Sequence, residues 1–256
     1  MNKTDTYFLQ DDTYIKYYIF KNKNGSNIPP KHLMKYGQNE KRYIASGKRD
    51  YESLIKTIEN NGFTFNQKRI LEFGCNNARV LRHFIDHTKD NEIWGCDIDS
   101  KPVTWCQESL SPPFNFFVNT TQPSLPFKEN YFDLIYAYSI FTHIDDLFFT
   151  WILELKRLIS DTGLIFITLH DENSVNFGIE NPSRVIGKHI QNNEAKFQQF
   201  LKGELNFLAI NRNHQSHVFV KREYITERLN SFGLQVVDMV GYTMGGHQTG
   251  YLLKKI

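Results

Sequence analysis

A chain of 256 residues, 40% hydrophobic and 23% charged, has the length of one large α/β domain and the composition of an ordinary globular protein. Its formal net charge of +2, with no basic stripe interleaved with aromatics, argues against a strong general pull toward nucleic acid. No apolar run approaches the ~20 residues that span a bilayer, and the polar start Met1 to Thr6 lacks the apolar core of a secretory signal. A cytoplasmic protein is expected, with neither nucleic acid nor membrane as a partner.

In chain order, residues 1–48 are the least regular, with the turn cluster Asn22 to Asn27 and then Ile28-Pro29-Pro30, and read as an N-terminal extension laid over the main fold. After Asp50, a plausible N-cap, Tyr51, Leu54, Ile55 and Ile58 fall on one helical face, and Asn60-Asn61-Gly62 stops the pattern. A first strand over 69–73 leads into a helix near 77–87, whose face is Val80, Leu81, Phe84 and Ile85. A second strand over 92–97 leads to a helix near 101–109, and 114–118 forms a short third strand. The fourth strand ends at Ala137. Asp145 and Asp146 then open a helix, acids suiting the positive end of its dipole, and Phe148, Trp151, Ile152, Leu155, Leu158 and Ile159 make its core stripe. The fifth strand runs over 163–169. A polar stretch from Asp171 to His217 is too long for a plain loop, and a helix is expected within it around 194–203. A helix over 222–232, stopped by Gly233, precedes a hairpin of strands at 234–240 and 249–255.

The chemistry concentrates in Arg69-Ile70-Leu71-Glu72-Phe73-Gly74-Cys75-Asn76-Asn77-Ala78-Arg79, followed by Gly95-Cys96-Asp97-Ile98-Asp99. An apolar strand ending in a turn of small residues brings backbone close to a ligand, and an acid ~20 residues on can bind ribose hydroxyls. That pattern is a nucleoside site. The G-x-G-x-x-G spacing is absent, so no dinucleotide phosphate cradle is spelled out. The cysteines Cys75, Cys96 and Cys106 show no C-x-x-C spacing and read as small buried hydrophobes of a reducing compartment.

The strand and turn resemble class I S-adenosylmethionine-dependent methyltransferases, whose first strand ends in an acid followed by a glycine-rich turn. Glu72, Gly74 and Cys75 match, while Asn76 and Ala78 stand where the family usually has its second and third glycines. Asn is the residue after glycine most tolerant of positive φ, and Ala is the smallest side chain. Three further segments follow in the family's order. Pro126-Phe127 with Phe132-Asp133 resembles its loop and fourth strand, Ser139 to Ile144 with His143 the segment after that strand, and Trp151 to Thr168 the next helix, turn and fifth strand. The resemblance covers roughly 66–170 and implies a Rossmann-like, doubly wound, seven-stranded, mostly parallel sheet with helices on both faces and the last strand antiparallel. Beside it, the irregular residues 1–48 are expected to pack over the cofactor site, and the long polar stretch at about 171–217 to form a lid-like insertion in a methyltransferase domain over 49–256.

The same resemblance assigns roles. Glu72 supports the turn and helps bind the amino group of the methionine moiety, to which Gly74, Cys75 and Asn76 offer backbone. Asp97 takes the ribose hydroxyls, since a carboxylate accepts two hydrogen bonds at once. Ile98 lies against adenine, and Asn119 and Thr120 sit where relatives bind its edge. Tyr138 offers an aromatic face to the sulfonium, and Arg79 is either near the methionine carboxylate or exposed. His143 is the leading general base, with His170 second. Relatives that bind a divalent cation place glutamates beside this His; Ser139 and Thr142 stand there instead, and His214, His217 and His247 lack a recognisable ligand set, so no metal is expected.

The Pro-Pro segment, Tyr43 to Gly47 ahead of the first helix, and Gln248 resemble stand-alone bacterial methyltransferases acting on small molecules or sugars. O-methylation is the first reading and N-methylation the second. Two other classes stand beside it: a non-catalytic nucleoside-binding module, raised by Asn76 and Ala78, and a nicotinamide-dependent oxidoreductase, disfavoured by the missing glycine spacing.

Overall fold

The computed structural model describes residues 4–10, 13–18, 28–34, 39–211, 216–243 and 246–256. The segment 1–48 holds more regular structure than its composition suggests. Strands β1 (Thr4–Gln10) and β2 (Thr13–Tyr18) pair antiparallel. Helix α1 spans Glu40–Asn60, capped by Asn39, whose side chain accepts the Arg42 N–H at 2.9 Å. The helix therefore starts well before Asp50. Asp50 caps nothing; it is buried in mid-helix and its carboxylate faces Arg79 at 2.7 Å.

The central sheet alternates with helices from β3 (Arg69–Phe73) onward. Strand β4 (Glu92–Asp97) leads to α2 (Ser100–Leu110) and then β5 (Asn115–Val118). Strand β6 (Phe132–Ala137) is followed by α3 (Phe148–Leu158) and β7 (Ile159–Leu169). Next come α4 (Glu172–Glu180), α5 (Val185–Asn192), α6 (Glu194–Leu201), β8 (Phe207–Ile210) and β9 (His217–Val220). The chain ends in α7 (Arg222–Ser231), β10 (Leu234–Thr243) and β11 (Gln248–Lys255). The seven-stranded sheet has the order β10-β11-β7-β6-β3-β4-β5. Pairing is parallel through β6, β3, β4 and β5 and antiparallel between β10 and β11. This is the expected Rossmann-like, mostly parallel sheet, and all seven strands read from the sequence are in it.

The chain divides into two compact units, Met1–Tyr136 with Glu154–Leu164, and Ala137–Leu153 with Ile165–Ile256. In the first, the parallel strands are nearly continuous apolar runs, as strands covered on both faces must be. Ile70, Leu71, Ile93, Leu134 and Ile135 are wholly buried there. From β3 the strand order runs outward through β4 to β5, then returns to β6 on the other side of β3. Such a reversal leaves a crevice beyond the carboxyl ends of the strands, where ligands bind in open α/β sheets. The turn at 74–80 lies at the carboxyl end of β3. Because this turn consumes the residues expected to begin a helix at 77, only a 3-10 helix over Leu81–His87 follows it.

In the second unit the stretch after β7 has a core of its own, with Val175, Ile186, Ile190, Phe197, Phe200, Leu208, Ile210 and Phe219 buried together. The helix expected around 194–203 is α6. Strands β8 and β9 pair antiparallel, Phe207 opposite Val220 and Ile210 opposite His217. These four-residue strands are too short to announce themselves by alternation, and the second carries the inserted stretch past His217.

Candidate active site

The turn after β3 is bent by three left-handed residues, Gly74 (φ 80°), Asn76 (φ 46°) and Ala78 (φ 58°). Its first three N–H groups are spent on the end of β4. Those of Gly74 and Cys75 both donate to the Cys96 carbonyl at 2.8 Å, and that of Asn76 donates to Asp97 Oδ2 at 2.8 Å. Asp97 Oδ1 accepts the Asp99 N–H at 2.9 Å. Asp97 is half-buried at the end of β4. With these three donors occupied, the start of the turn is not arranged as a phosphate cradle.

Glu72 lies beneath the turn, almost wholly buried, and its Oε2 accepts the Leu81 N–H at 3.0 Å and the Tyr136 hydroxyl at 3.2 Å. Burial pushes its carboxyl up to about 8, against the lowering effect of Arg79 and of those two hydrogen bonds. Cys75, Cys96 and Cys106 are buried thiols held above their ordinary range by the same desolvation. Beyond β4, Ile98 is 59% exposed, an apolar side chain left in solvent beside Asp97. The Asn119 N–H donates to the Asp97 carbonyl at 3.1 Å, and Asn119 Nδ2 donates to the Thr120 carbonyl at 2.8 Å. That second bond fixes the amide orientation and leaves Asn119 Oδ1 buried with no partner among the described residues. An orphaned acceptor of this kind suits an exocyclic amino group. Thr120 itself is exposed.

Sequence reasoning missed the support behind the turn. The Tyr43 hydroxyl, on α1, donates to Asn77, lying 2.8 Å from its carbonyl and 3.0 Å from its Oδ1. Asn77 Nδ2 donates to the Leu33 carbonyl. Arg79, expected near the methionine carboxylate or exposed, is buried, with Nη1 2.7 Å from Asp50 Oδ2. Gly47 is where α1 comes closest: a Cβ there would overlap the Arg79 carbonyl. The signal was the helical spacing of Tyr43, Gly47 and Asp50, hidden by reading Asp50 as a cap.

In the second unit, Ser139 (φ 58°) turns the chain after β6. Its N–H donates to Thr168 Oγ1 at 2.7 Å, Thr168 donates to Gln248 Oε1 at 2.7 Å, and Gln248 Nε2 donates back to Ser139 Oγ at 2.9 Å. This buried ring fixes the segment carrying Tyr138 and His143. Tyr138 is buried, its ring 5.4 Å from that of Phe166. His143 is exposed, with Nδ1 2.7 Å from the Ser216 carbonyl. A carbonyl only accepts, so Nδ1 carries the proton and the Nε2 lone pair is available as a base.

His170 is buried, with both ring nitrogens lacking hydrogen-bond partners among the described residues. It stacks on Phe219 at 4.9 Å and lies 5.5 Å from the His247 ring and 6.4 Å from that of His217. Burial, reinforced by the neighbouring imidazoles, holds His170 far below its ordinary value and His217 at about 4. Among the described residues no group of three His, Cys, Asp or Glu side chains is placed to hold a metal ion; His214 lies outside the described residues. No helix among them is long and apolar enough to cross a membrane.

An open, mostly parallel α/β sheet with a turn of small residues and an acid, Asp97, at its switch point has the architecture of nucleotide- and nucleoside-binding enzymes. Over residues 43–239 the sequence matches the family described as a methyltransferase domain, and the chain belongs to that family. It is an enzyme whose cofactor is S-adenosylmethionine, which sets aside the binding-module and nicotinamide readings. The fold is shared with an S-adenosylmethionine-dependent methyltransferase from Clostridium acetobutylicum (13% identity, TM-score 0.56, 81% of this chain and 91% of that one). It is also shared with the 1,6-didemethyltoxoflavin-N1-methyltransferase of Burkholderia thailandensis, solved with its substrate and S-adenosylhomocysteine (11%, TM-score 0.56, 98% and 99%). A third similar structure is the magnesium protoporphyrin IX methyltransferase of Synechocystis PCC 6803 (13%, TM-score 0.54, 85% and 89%). No curated protein sequence matches the chain.

Proposed function

We propose that this methyltransferase acts on a hydroxyl of a small molecule or sugar, with His143 as general base. The observation that carries the reading is the anchored Nδ1 of His143, which leaves Nε2 as an acceptor on an exposed side chain. An alcohol is a poor nucleophile until it loses its proton, whereas a neutral amine needs no base before attack. The sulfonium of the cofactor supplies an already activated methyl group. What remains for the protein is to bind, align the acceptor and take its proton, and alignment alone is worth up to roughly 7–11 kcal/mol in the best intramolecular cases.

In this reading Asp97 holds the ribose hydroxyls and Ile98 covers one face of adenine. Asn119 Oδ1, with Thr120 beside it, takes the adenine edge. Glu72 with the carbonyls of Gly74, Cys75 and Asn76 faces the ammonium. Tyr138 supplies an aromatic wall, and His170 lines the acceptor side as a neutral imidazole. Residues 28–34, tied to the turn through Leu33 and Asn77, belong to an N-terminal cover, and the stretch 171–217, with its own core, serves as the substrate lid. The protein works in the cytoplasm without nucleic acid, membrane or metal.

Incubation with labelled S-adenosylmethionine and a panel of hydroxyl and amine acceptors tests the reading. A 14 Da gain on a hydroxyl is expected. His143→Ala is expected to lower turnover by 10²-fold or more while leaving affinity for S-adenosylhomocysteine unchanged. Transfer only to amines, undiminished in that variant, would replace O-methylation by N-methylation and remove the base.

A further inference from the structure

The turn that should receive the cofactor departs from glycine at two of its three left-handed positions. Asn76 and Ala78 hold φ values of 46° and 58°, a region that β-carbon-bearing residues resist, Ala more than Asn. Some other part of the molecule must hold this backbone in place. Helix α1 meets the turn at successive points on one face. Tyr43, 1% exposed, donates its hydroxyl proton to Asn77, between the two strained residues. Gly47 lets the helix backbone press against the Arg79 carbonyl. Asp50, 3% exposed, holds the Arg79 guanidinium immediately after Ala78. These residues are spaced so that they project from a single side of the helix. Arg82, one turn further on, places its guanidinium 5.0 Å from the centre of the Tyr43 ring.

We infer that α1 is the positioning element of the cofactor turn, with Tyr43 and Asp50 as positioning residues that replace the conformational freedom glycine would give. The shape that presents the Asn76 N–H to Asp97 is then set from outside the turn, through Asn77 and Arg79. Neither residue touches the cofactor in this account; each acts through the backbone it holds. The inference rests on the cofactor site assigned above.

Calorimetry with S-adenosylhomocysteine tests it on the full chain in four forms: wild type, Tyr43→Phe, Ala78→Gly and the double variant. Tyr43→Phe removes one hydroxyl and keeps the ring, and should weaken binding roughly fivefold, the share of a single hydrogen bond. Ala78→Gly should bind at least as tightly as wild type. In the Tyr43→Phe background it should restore most of the lost affinity, because glycine adopts the left-handed conformation unaided. Melting temperatures measured on the same samples separate affinity from general stability. Wild-type affinity in Tyr43→Phe would overturn the inference, as would a loss that Ala78→Gly does not restore. Absence of binding by folded wild-type protein would overturn the cofactor assignment itself, a distinct outcome.

Discussion

Glu72 concentrates the conflict between site and fold. It is a carboxyl in the middle of a buried parallel strand, accepting one backbone N–H and one phenol, and burial lifts it to about 8 from the ordinary 4.5. A folded state that holds a proton the unfolded chain releases loses stability as pH rises. The contribution of this group is fully present below pH 4.5 and is lost progressively as pH climbs to about 8. Glu72→Gln keeps an acceptor and removes the titration. Its melting temperature should be close to that of wild type near pH 5 and should exceed it increasingly from pH 6 to 9. A constant difference across that range would show that Glu72 is ionised throughout.

Helix α1 shows where sequence reasoning stops. Its second half was legible from Tyr51, Leu54, Ile55 and Ile58, because the 3.6-residue period marks a face packed on the core. Its first half was not, because that face carries Tyr43, Gly47 and Asp50, residues chosen for contact with one particular turn and not for hydrophobicity. Strands β3 and β4 were read with their bounds, since each depends on local pattern. The reach of Arg79 to Asp50 and of Leu33 to Asn77 depends on tertiary placement and leaves no local trace. Gly47 tests the contact directly. Glycine inside a helix costs about 1 kcal/mol relative to alanine, so Gly47→Ala would stabilise an exposed helix. Here the added Cβ overlaps the Arg79 carbonyl, and overpacking of about 1–3 kcal/mol should win. Chemical denaturation is expected to show a net loss of stability in this variant. A gain would mean that α1 does not press on the turn.

For the whole molecule, the chain crosses between its two compact units three times, at 136/137, 153/154 and 164/165, and the last crossing lies inside strand β7. Neither unit is one continuous stretch of sequence, so neither can be separated by a single cut. Strand pairing continues along all seven strands of one sheet. A sheet of this kind should melt in one cooperative step, and a bound ligand should then raise the melting temperature of the entire chain. Saturation at 100 times Kd adds about 2.7 kcal/mol to the folded state. At roughly 2–4 °C per kcal/mol for a chain of this size, S-adenosylhomocysteine should shift the midpoint upward by about 5–10 °C. NAD at the same concentration should shift it far less, because the first three N–H groups of the turn, those of Gly74, Cys75 and Asn76, are spent on Cys96 and Asp97 and not held out to a pyrophosphate. Two separate transitions, with only one responding to the ligand, would show that the units unfold independently and that binding energy stays within one of them.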